Sequence, residues 1–266
     1  FEIAAAFKSV TKWVGEIDQP QRVPELMRRA FTALRSGQRG PVLVTLPRGL
    51  GEYDEEQYPY TPVKGWRFGP DPADVQAAVQ ALVAAKRPLI YVGEGIFYAD
   101  ATDDLLRLAE LAQIPVLTSL KGKSAFPENH PLSVGTRGDV ASEFLCRCDV
   151  LLAVGASLLP GHFGHVIPDC GHKTIIHCTV DERDANRTYP TSHVLLGDAG
   201  LALRALIDEY AAQAWSGARP VAPRADQKLL DEIRAAREQF MATYRPLLVS
   251  NDVPINPYRV YGDLMK

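Results

Sequence analysis

The chain of 266 residues is 46% hydrophobic and 23% charged, an ordinary globular composition that suffices for one large domain with appendages. Its formal net charge of −3 excludes a strongly basic surface, so we expect no nucleic-acid partner. Apolar runs such as Val150–Val154 are far shorter than the roughly 20 residues that cross a bilayer, so we expect a soluble, cytoplasmic protein with no membrane partner.

The N-terminal part of the sequence predicts an incomplete α/β unit. Residues 1–50 contain one predicted helix, from about Pro24 to Ser36, and one predicted strand, Val42–Leu46, with no earlier strand to pair with. A lone strand does not fold by itself, so we expect its sheet to be completed by other residues or another chain. Residues 51–69 are acidic, aromatic and rich in proline, which predicts an interdomain linker whose tyrosines pack on a neighbouring surface.

Helices and strands then alternate regularly from residue 70 to residue 213. Each predicted strand is a continuous apolar run, which indicates a parallel sheet covered by helices on both faces. With right-handed crossovers this is a Rossmann-like, doubly wound α/β fold. The predicted helices are Pro72–Ala85, Ala101–Ala112, Val140–Arg147 and Asp198–Gln213, and the predicted strands are Leu89–Val92, Ile114–Thr118, Asp149–Val154, Thr174–Val180 and His193–Leu196.

The C-terminal part, residues 214–266, begins with a second predicted linker, from Ser216 to Arg224. A charged helix with an apolar stripe is predicted over Asp226–Tyr244. Pro257 is predicted to start a further helix, because proline fits the first helical position.

Small residues follow the carboxyl ends of three successive predicted strands. That edge of an open parallel sheet is where ligands bind, and glycines let a phosphate or ribose approach the backbone. Two acids, Asp181 and Asp198, fall where they could hold a ribose or adenine. The alternative is that the glycines only make tight turns and that the acids cap helices. The small residues are Gly93 and Gly95, Ser119 and Gly122, and Gly155 and Ser157.

Cysteine and histidine spacing gives weak metal signals. The cysteines at positions 146, 148, 170 and 178 have neither a zinc spacing nor the density of a disulfide scaffold, which predicts reduced and mostly packed thiols. His162 and His165 share a loop, with His172 and His177 downstream, but no carboxylate cluster accompanies them. We therefore predict no metal site within this chain.

An ordered series of motifs resembles thiamine-diphosphate-dependent enzymes of the acetolactate synthase type, and the likeness runs nearly from end to end. It does not indicate one particular reaction. The motifs are residues 30–47, which end in Gly40-Pro-Val-Leu-Val-Thr-Leu-Pro, then Arg87-Pro-Leu-Ile-Tyr-Val-Gly-Glu-Gly, Ile114-Pro-Val-Leu-Thr-Ser-Leu-Lys-Gly, Asp149-Val-Leu-Leu-Ala-Val-Gly-Ala-Ser and Pro254-Ile-Asn-Pro-Tyr-Arg-Val.

The resemblance implies an organisation in three parts. Residues 1–50 would be the end of a pyrimidine-binding domain, 51–69 a linker, 70–213 the central Rossmann-like domain, and 214–266 a linker and the start of a pyrophosphate-binding domain. The family's activating glutamate and its Gly-Asp-Gly magnesium and diphosphate motif then lie outside this sequence, so the segment alone should be inactive. The parent protein would use thiamine diphosphate and Mg²⁺ to decarboxylate a 2-oxo acid and pass the product to an acceptor.

The resemblance also implies a nucleotide site in the central domain, because some relatives hold FAD there and others ADP or nothing. Ser157 and Thr179 depart from the FAD-binding pattern, since relatives usually have an arginine and an acid there. We expect reduced FAD affinity unless Arg137 or Arg183 compensates. The cofactor-binding candidates are Gly93, Glu94, Gly95, Ser119, Leu120, Gly155, Ala156, Asp181, Asp198 and Ala199.

Two other functions fit the same sheet edge. The chain could be a stand-alone nucleotide-binding module of the NAD type, or a structural subunit with an empty edge. On the leading interpretation the parent is a homodimer or homotetramer that acts on a small 2-oxo acid.

Overall fold

The computed structural model describes residues 2–161, 164–216 and 227–266, and it divides into two compact units, Phe1–Gly69 and Pro70–Lys266. His162 and nearly all of the predicted second linker lie outside the described residues. The helices and strands are α1 Ile3–Phe7, β1 Trp13–Glu16, α2 Val23–Arg35, β2 Val42–Thr45, α3 Pro72–Ala84, β3 Pro88–Val92, α4 Gly95–Ala99, α5 Thr102–Ala112, β4 Val116–Thr118, α6 Asp139–Arg147, β5 Val150–Val154, β6 Thr174–Thr179, β7 His193–Leu196, α7 Ala199–Ser216, α8 Gln227–Leu248 and α9 Pro257–Leu264.

The first unit contains a parallel strand pair that the sequence did not predict. β1 pairs with β2 in register, Trp13 opposite Val42 and Glu16 opposite Thr45. The expectation that the strand at 42–46 has no earlier partner is therefore wrong. β1 was missed because its four residues include Gly15 and a terminal glutamate, so it has neither an apolar run nor an alternating pattern.

The segment after β2 returns along α2. The ring of Tyr60 lies 6.3 Å from that of Phe31, and the amide of Trp66 donates a 2.9 Å hydrogen bond to the Ser36 hydroxyl. The guanidinium of Arg35 donates to the carbonyl of Val63. An aromatic side chain of the predicted linker thus packs on a neighbouring helix, as expected.

The second unit is built on a five-stranded, all-parallel sheet in the order β4-β3-β5-β6-β7. β3 and β5 are buried along their whole length, which explains why both read as unbroken apolar runs. This confirms the predicted Rossmann-like α/β class. Predicted and observed strand ends differ by at most two residues, as at β4, which was expected from Ile114.

The direction of winding reverses between β3 and β5. From β3 the chain passes through α5 to β4 on one side, then returns through α6 to β5 on the other side of β3. Because such crossovers are right-handed, α5 and α6 lie on opposite faces of the sheet. α3 and α5 both pack against α7, whereas α6 packs against α8. The reversal makes the carboxyl ends of β3 and β5 the place where such folds bind ligands.

Within the described ranges, none of the helices combines the length and apolarity needed to cross a membrane.

Candidate functional site

The loops that follow β3 and β5 meet through their glycines. The amide of Gly93 donates to the carbonyl of Val154 at 3.0 Å, and that of Gly95 donates to the carbonyl of Gly155 at 2.9 Å. A Cβ on Gly93 would lie 2.2 Å from the Gly155 oxygen, and one on Gly95 would lie 2.6 Å from the Gly155 Cα. Glycine is therefore required at these positions so that the backbones of the two loops can approach each other. This agrees with the alternative in which the glycines only make tight turns.

The loop after β4 joins the same layer. The amide of Ser119 donates to the carbonyl of Val92 at 2.8 Å, and the Ser119 hydroxyl accepts from the amide of Gly122 at 3.0 Å. A Cβ on Gly122 would lie 2.5 Å from the Val92 oxygen. Sequence candidates from the β3, β4 and β5 loops are thus brought to one edge of the sheet: Gly93, Glu94, Gly95, Ser119, Leu120, Gly155 and Ala156.

An ion pair bridges two of these loops. Lys121 Nζ lies 3.1 Å from Glu94 Oε1, and the two side chains are 52% and 42% exposed. Glu94 was a candidate from the sequence, whereas Lys121 was discounted because the glycine pattern of a phosphate loop does not precede it. The pair could not be predicted from the sequence because 27 residues separate its members. Only the pairing of β3 with β4 brings them together.

Asp181, at the end of β6, is engaged by a neighbouring arginine. Its carboxylate accepts from the Arg183 Nε at 2.9 Å, from the Arg183 Nη2 at 2.8 Å and from the Arg183 amide at 3.1 Å. These bonds lower the pKa of Asp181 below its usual value. The side chain thus caps the short helical turn at Glu182–Asp184. Contact of Asp181 with a ribose remains a prediction.

Asp198 caps α7. Its Oδ1 accepts from the amides of Gly200 and Leu201, both at 3.1 Å, while Ala199 is buried at the first helical position. These bonds satisfy two of the amides that a helix start leaves without partners. The helix-capping alternative therefore accounts for Asp198, and its contact with a nucleotide stays a prediction.

A buried histidine supports the β5 loop from below. His177 on β6 is 0% exposed, and its Nε2–H donates to the Ala156 carbonyl at 2.7 Å, while its Nδ1 has no hydrogen-bond partner. Burial lowers the pKa of His177, so the neutral ring is favoured. This role could not be predicted from the sequence, because a lone histidine in an apolar strand has the same pattern as any core residue.

Tyr91, which pairs with His165, lies on the same face of the sheet as His177. Tyr91 and His177 are both in register with Ala153, so their side chains share a face. The hydroxyl of Tyr91 lies 3.3 Å from the Nδ1 of His165, and burial lowers the pKa of His165 and raises that of Tyr91. Within the described ranges no three His, Cys, Asp or Glu side chains gather to hold a metal ion; His162 lies outside those ranges.

Comparison with known proteins agrees with this geometry. Residues 75–206 match the family model "Thiamine pyrophosphate enzyme, central domain". A Methanocaldococcus jannaschii protein named "Probable acetolactate synthase large subunit" is 33% identical over 272 residues, which cover 98% of this chain and 44% of that protein. Glyoxylate carboligase of Escherichia coli O157:H7 is 28% identical over 274 residues, covering 100% of this chain and 44% of the relative.

Among solved structures, benzoylformate decarboxylase from Polynucleobacter necessarius superposes with a TM-score of 0.61 at 26% identity, over 74% of this chain and 38% of that one. The chain thus spans less than half the length of these relatives.

The sheet order and the joined glycine loops at its carboxyl edge define a Rossmann-like α/β domain. The chain belongs to the thiamine-diphosphate-dependent enzyme family of the acetolactate synthase type, and residues 75–206 are its central domain. The resemblance drawn from the motif series is confirmed.

Proposed function

We propose that this chain is part of a thiamine-diphosphate-dependent enzyme that decarboxylates a 2-oxo acid and joins the product to an acceptor. The observation that carries this proposal is the match to an acetolactate synthase-type relative along 98% of the chain. Thiamine diphosphate, with Mg²⁺, supplies when bound the electron sink that lets a 2-oxo acid lose carbon dioxide. The residues described above do not fit that cofactor's site, and no Gly-Asp-Gly run occurs in the sequence, so no catalytic step is assigned to them.

The test is an assay of the full-length protein loaded with thiamine diphosphate and Mg²⁺. Pyruvate and glyoxylate are supplied separately, and carbon dioxide release and the carboligated product are measured. We expect turnover with at least one of them. Turnover with neither, nor with a wider panel of 2-oxo acids, would contradict the proposal. The chain of residues 1–266 alone should show no turnover, and turnover by it would refute the placement of the catalytic groups elsewhere.

We further propose that the carboxyl edge of the sheet binds a nucleotide, FAD or ADP. The support is the reversal of winding between β3 and β5 and the cation of Lys121 beside the glycine loops. Ser157 and Thr179 supply no charge there, so we expect any FAD to be held weakly. Flavin absorbance of the purified protein and calorimetric titration with ADP test this. Binding of NAD(H) instead would favour the stand-alone module, and absence of all three would favour a purely structural role.

The domain boundaries, assembly and location belong to the same proposal. The division of the chain after Gly69 supports a central domain that starts at residue 70, between residues 1–50 with their linker 51–69 and a C-terminal part from 214 to 266. We propose a homodimer or homotetramer in the cytoplasm, where the four free cysteines stay reduced. Light scattering of the full-length protein checks the assembly; a monomer would contradict it.

A further inference from the structure

The Glu94–Lys121 ion pair lies at the one edge of the sheet where three loops meet. Glu94 follows β3, Lys121 follows β4, and their charged atoms are 3.1 Å apart. Both side chains are about half exposed, so the pair is worth little for stability. The ion pair matters for ligand binding because of its position at the carboxyl edge of the sheet, and not because of its stabilising energy.

The backbones of the three loops are in close contact at their glycines. The Gly155 carbonyl oxygen lies where a Cβ on Gly93 would be, and the Val92 carbonyl lies against Gly122. A ligand at this edge must therefore lie above the loops, among their side chains. Charged groups from the loops after β3 and β4 include Glu94, Lys121 and Arg137, whose charge acts on Tyr91 and His165, while at β6 the carboxylate of Asp181 is already held by Arg183.

We propose that Lys121 is the residue that contacts the phosphate of a nucleotide at this edge, and that Glu94 competes with the phosphate for it. This rests on the nucleotide binding proposed above. A phosphate oxygen accepts a charge-assisted hydrogen bond from an ammonium group as a carboxylate does, so it replaces Glu94 as the partner. Glu94, left unpaired beside the phosphate, repels it. Binding of phosphorylated ligands at this edge therefore depends on Lys121, whereas binding of a nucleoside without a phosphate does not.

Lys123 supplies a matched control. It lies two positions further along the same loop, is likewise 52% exposed, and pairs with Glu128. This second pair lies within the turn-rich segment after β4 and does not bridge to the loop after β3. Removal of Lys123 changes the net charge by the same amount as removal of Lys121, so a general electrostatic effect would alter binding equally in both variants.

The experiment is calorimetric titration of the full-length protein with ADP, adenosine and inorganic diphosphate, in the wild type, K121M, K123M and E94Q. We expect K121M to weaken ADP binding about tenfold and K123M less than about twofold, because only Lys121 makes the direct contact. E94Q should tighten ADP binding about threefold, since an exposed ion pair competes only modestly. Adenosine affinity should be the same in all four proteins. Equal thermal midpoints establish that each variant is folded.

The outcomes separate this inference from the nucleotide proposal. If ADP binds the wild type but K121M and K123M weaken it equally, Lys121 is not the contact and the inference fails alone. If K121M weakens adenosine as much as ADP, the residue acts on the loop rather than on a phosphate, which also overturns it. Diphosphate binding that depends on Lys121, with adenosine inert, supports the contact and identifies the phosphate as the recognised group. Failure of ADP, FAD and NAD(H) to bind both the wild type and E94Q overturns nucleotide binding itself.

Discussion

The Nε2 of His177 lies 2.7 Å from the carbonyl oxygen of Ala156, so a fully buried ring on β6 holds the loop that follows β5. The carbonyl can only accept, which places the ring proton on Nε2 and leaves Nδ1 as an unpaired lone pair. Protonation of Nδ1 would introduce a charge into the core. The pKa of His177 is accordingly lowered by burial.

This histidine should make the protein less stable in mild acid. In the unfolded chain the ring takes up a proton below about pH 6.5, whereas in the folded protein it resists protonation, so stability is lost as the pH falls from there toward the lowered pKa. The free energy of unfolding, from urea titrations at about pH 7.5 and about pH 5.5, should fall by up to ~1.4 kcal/mol per pH unit. H177Q should be less stable throughout and less pH-dependent.

The exposed His172 supplies the control for that experiment, because H172Q removes an imidazole from the surface rather than from the core. His165, whose pKa burial also lowers, contributes in the same direction, so the H177Q profile should be flatter rather than flat. A wild-type profile that does not fall between these pH values would show that the buried ring is not linked to stability.

Gly93→Ala should destabilise the protein strongly. Its new methyl group would lie 2.2 Å from the Gly155 oxygen and 2.6 Å from the Ala156 Cα, and both are backbone atoms that cannot move aside cheaply. Overpacking of this kind costs about 3 kcal/mol. Gly171→Ala is the control, because a Cβ there meets nothing within 4 Å, and it should change the free energy by less than about 0.5 kcal/mol. Equal effects in urea unfolding would show that the loops separate readily.

The thiols should react in two classes. Burial raises the pKa of Cys148 to about 11 and that of Cys178 to about 12, so neither presents a thiolate at neutral pH. Cys146 is exposed. Native protein treated with iodoacetamide should be alkylated first at Cys146, whereas Cys148 and Cys178 should react only in denaturant. Peptide mass spectrometry reports each site, and early labelling of Cys178 would contradict the buried β6.

Arg237 should anchor α8 to the loop before α6. Its guanidinium donates to the carbonyl of Glu128 at 2.7 Å and to that of His130 at 3.2 Å. R237M keeps the apolar stem and removes these bonds, which should cost about 1–2 kcal/mol at this partly exposed position. Arg234, in the same helix, makes an exposed pair with Asp231, so R234M should cost less than about 0.5 kcal/mol. Similar urea midpoints for both variants would refute the anchoring role.

The central sheet could be predicted because its strands are apolar on both faces and therefore appear as unbroken runs in the sequence, as in Val150–Val154. Three short elements, α1, β1 and α4, could not. β1 owes its existence to pairing with β2, about thirty residues away, rather than to its own residues. α4 begins at the last residue of Gly93-Glu94-Gly95, a strong turn signal, and its five residues are held by buried Ile96 and Ala99.

The candidate site was predicted in part. The glycines and Ser119 lie together because the carboxyl ends of parallel strands share one edge, and this follows from the strand pattern alone. Glycines that let a ligand approach cannot be distinguished in the sequence from glycines that let another backbone segment approach. Both positions require the absence of a side chain. That distinction, like the Glu94–Lys121 pair, depends on distances between loops far apart in sequence.

The role of α8 bears on how this domain can be handled as a fragment. Its Glu232 Oε1 lies 2.6 Å from Arg87 Nη2 and 3.0 Å from Arg147 Nη1, and Ile233 beside it is 1% exposed. The family match ends at residue 206, before this helix. A polypeptide trimmed to that match would expose the apolar surface that Ile233 covers and would remove Glu232 from Arg87, while Arg147 would keep Glu143. The autonomous unit for expression or grafting must therefore extend through residue 248.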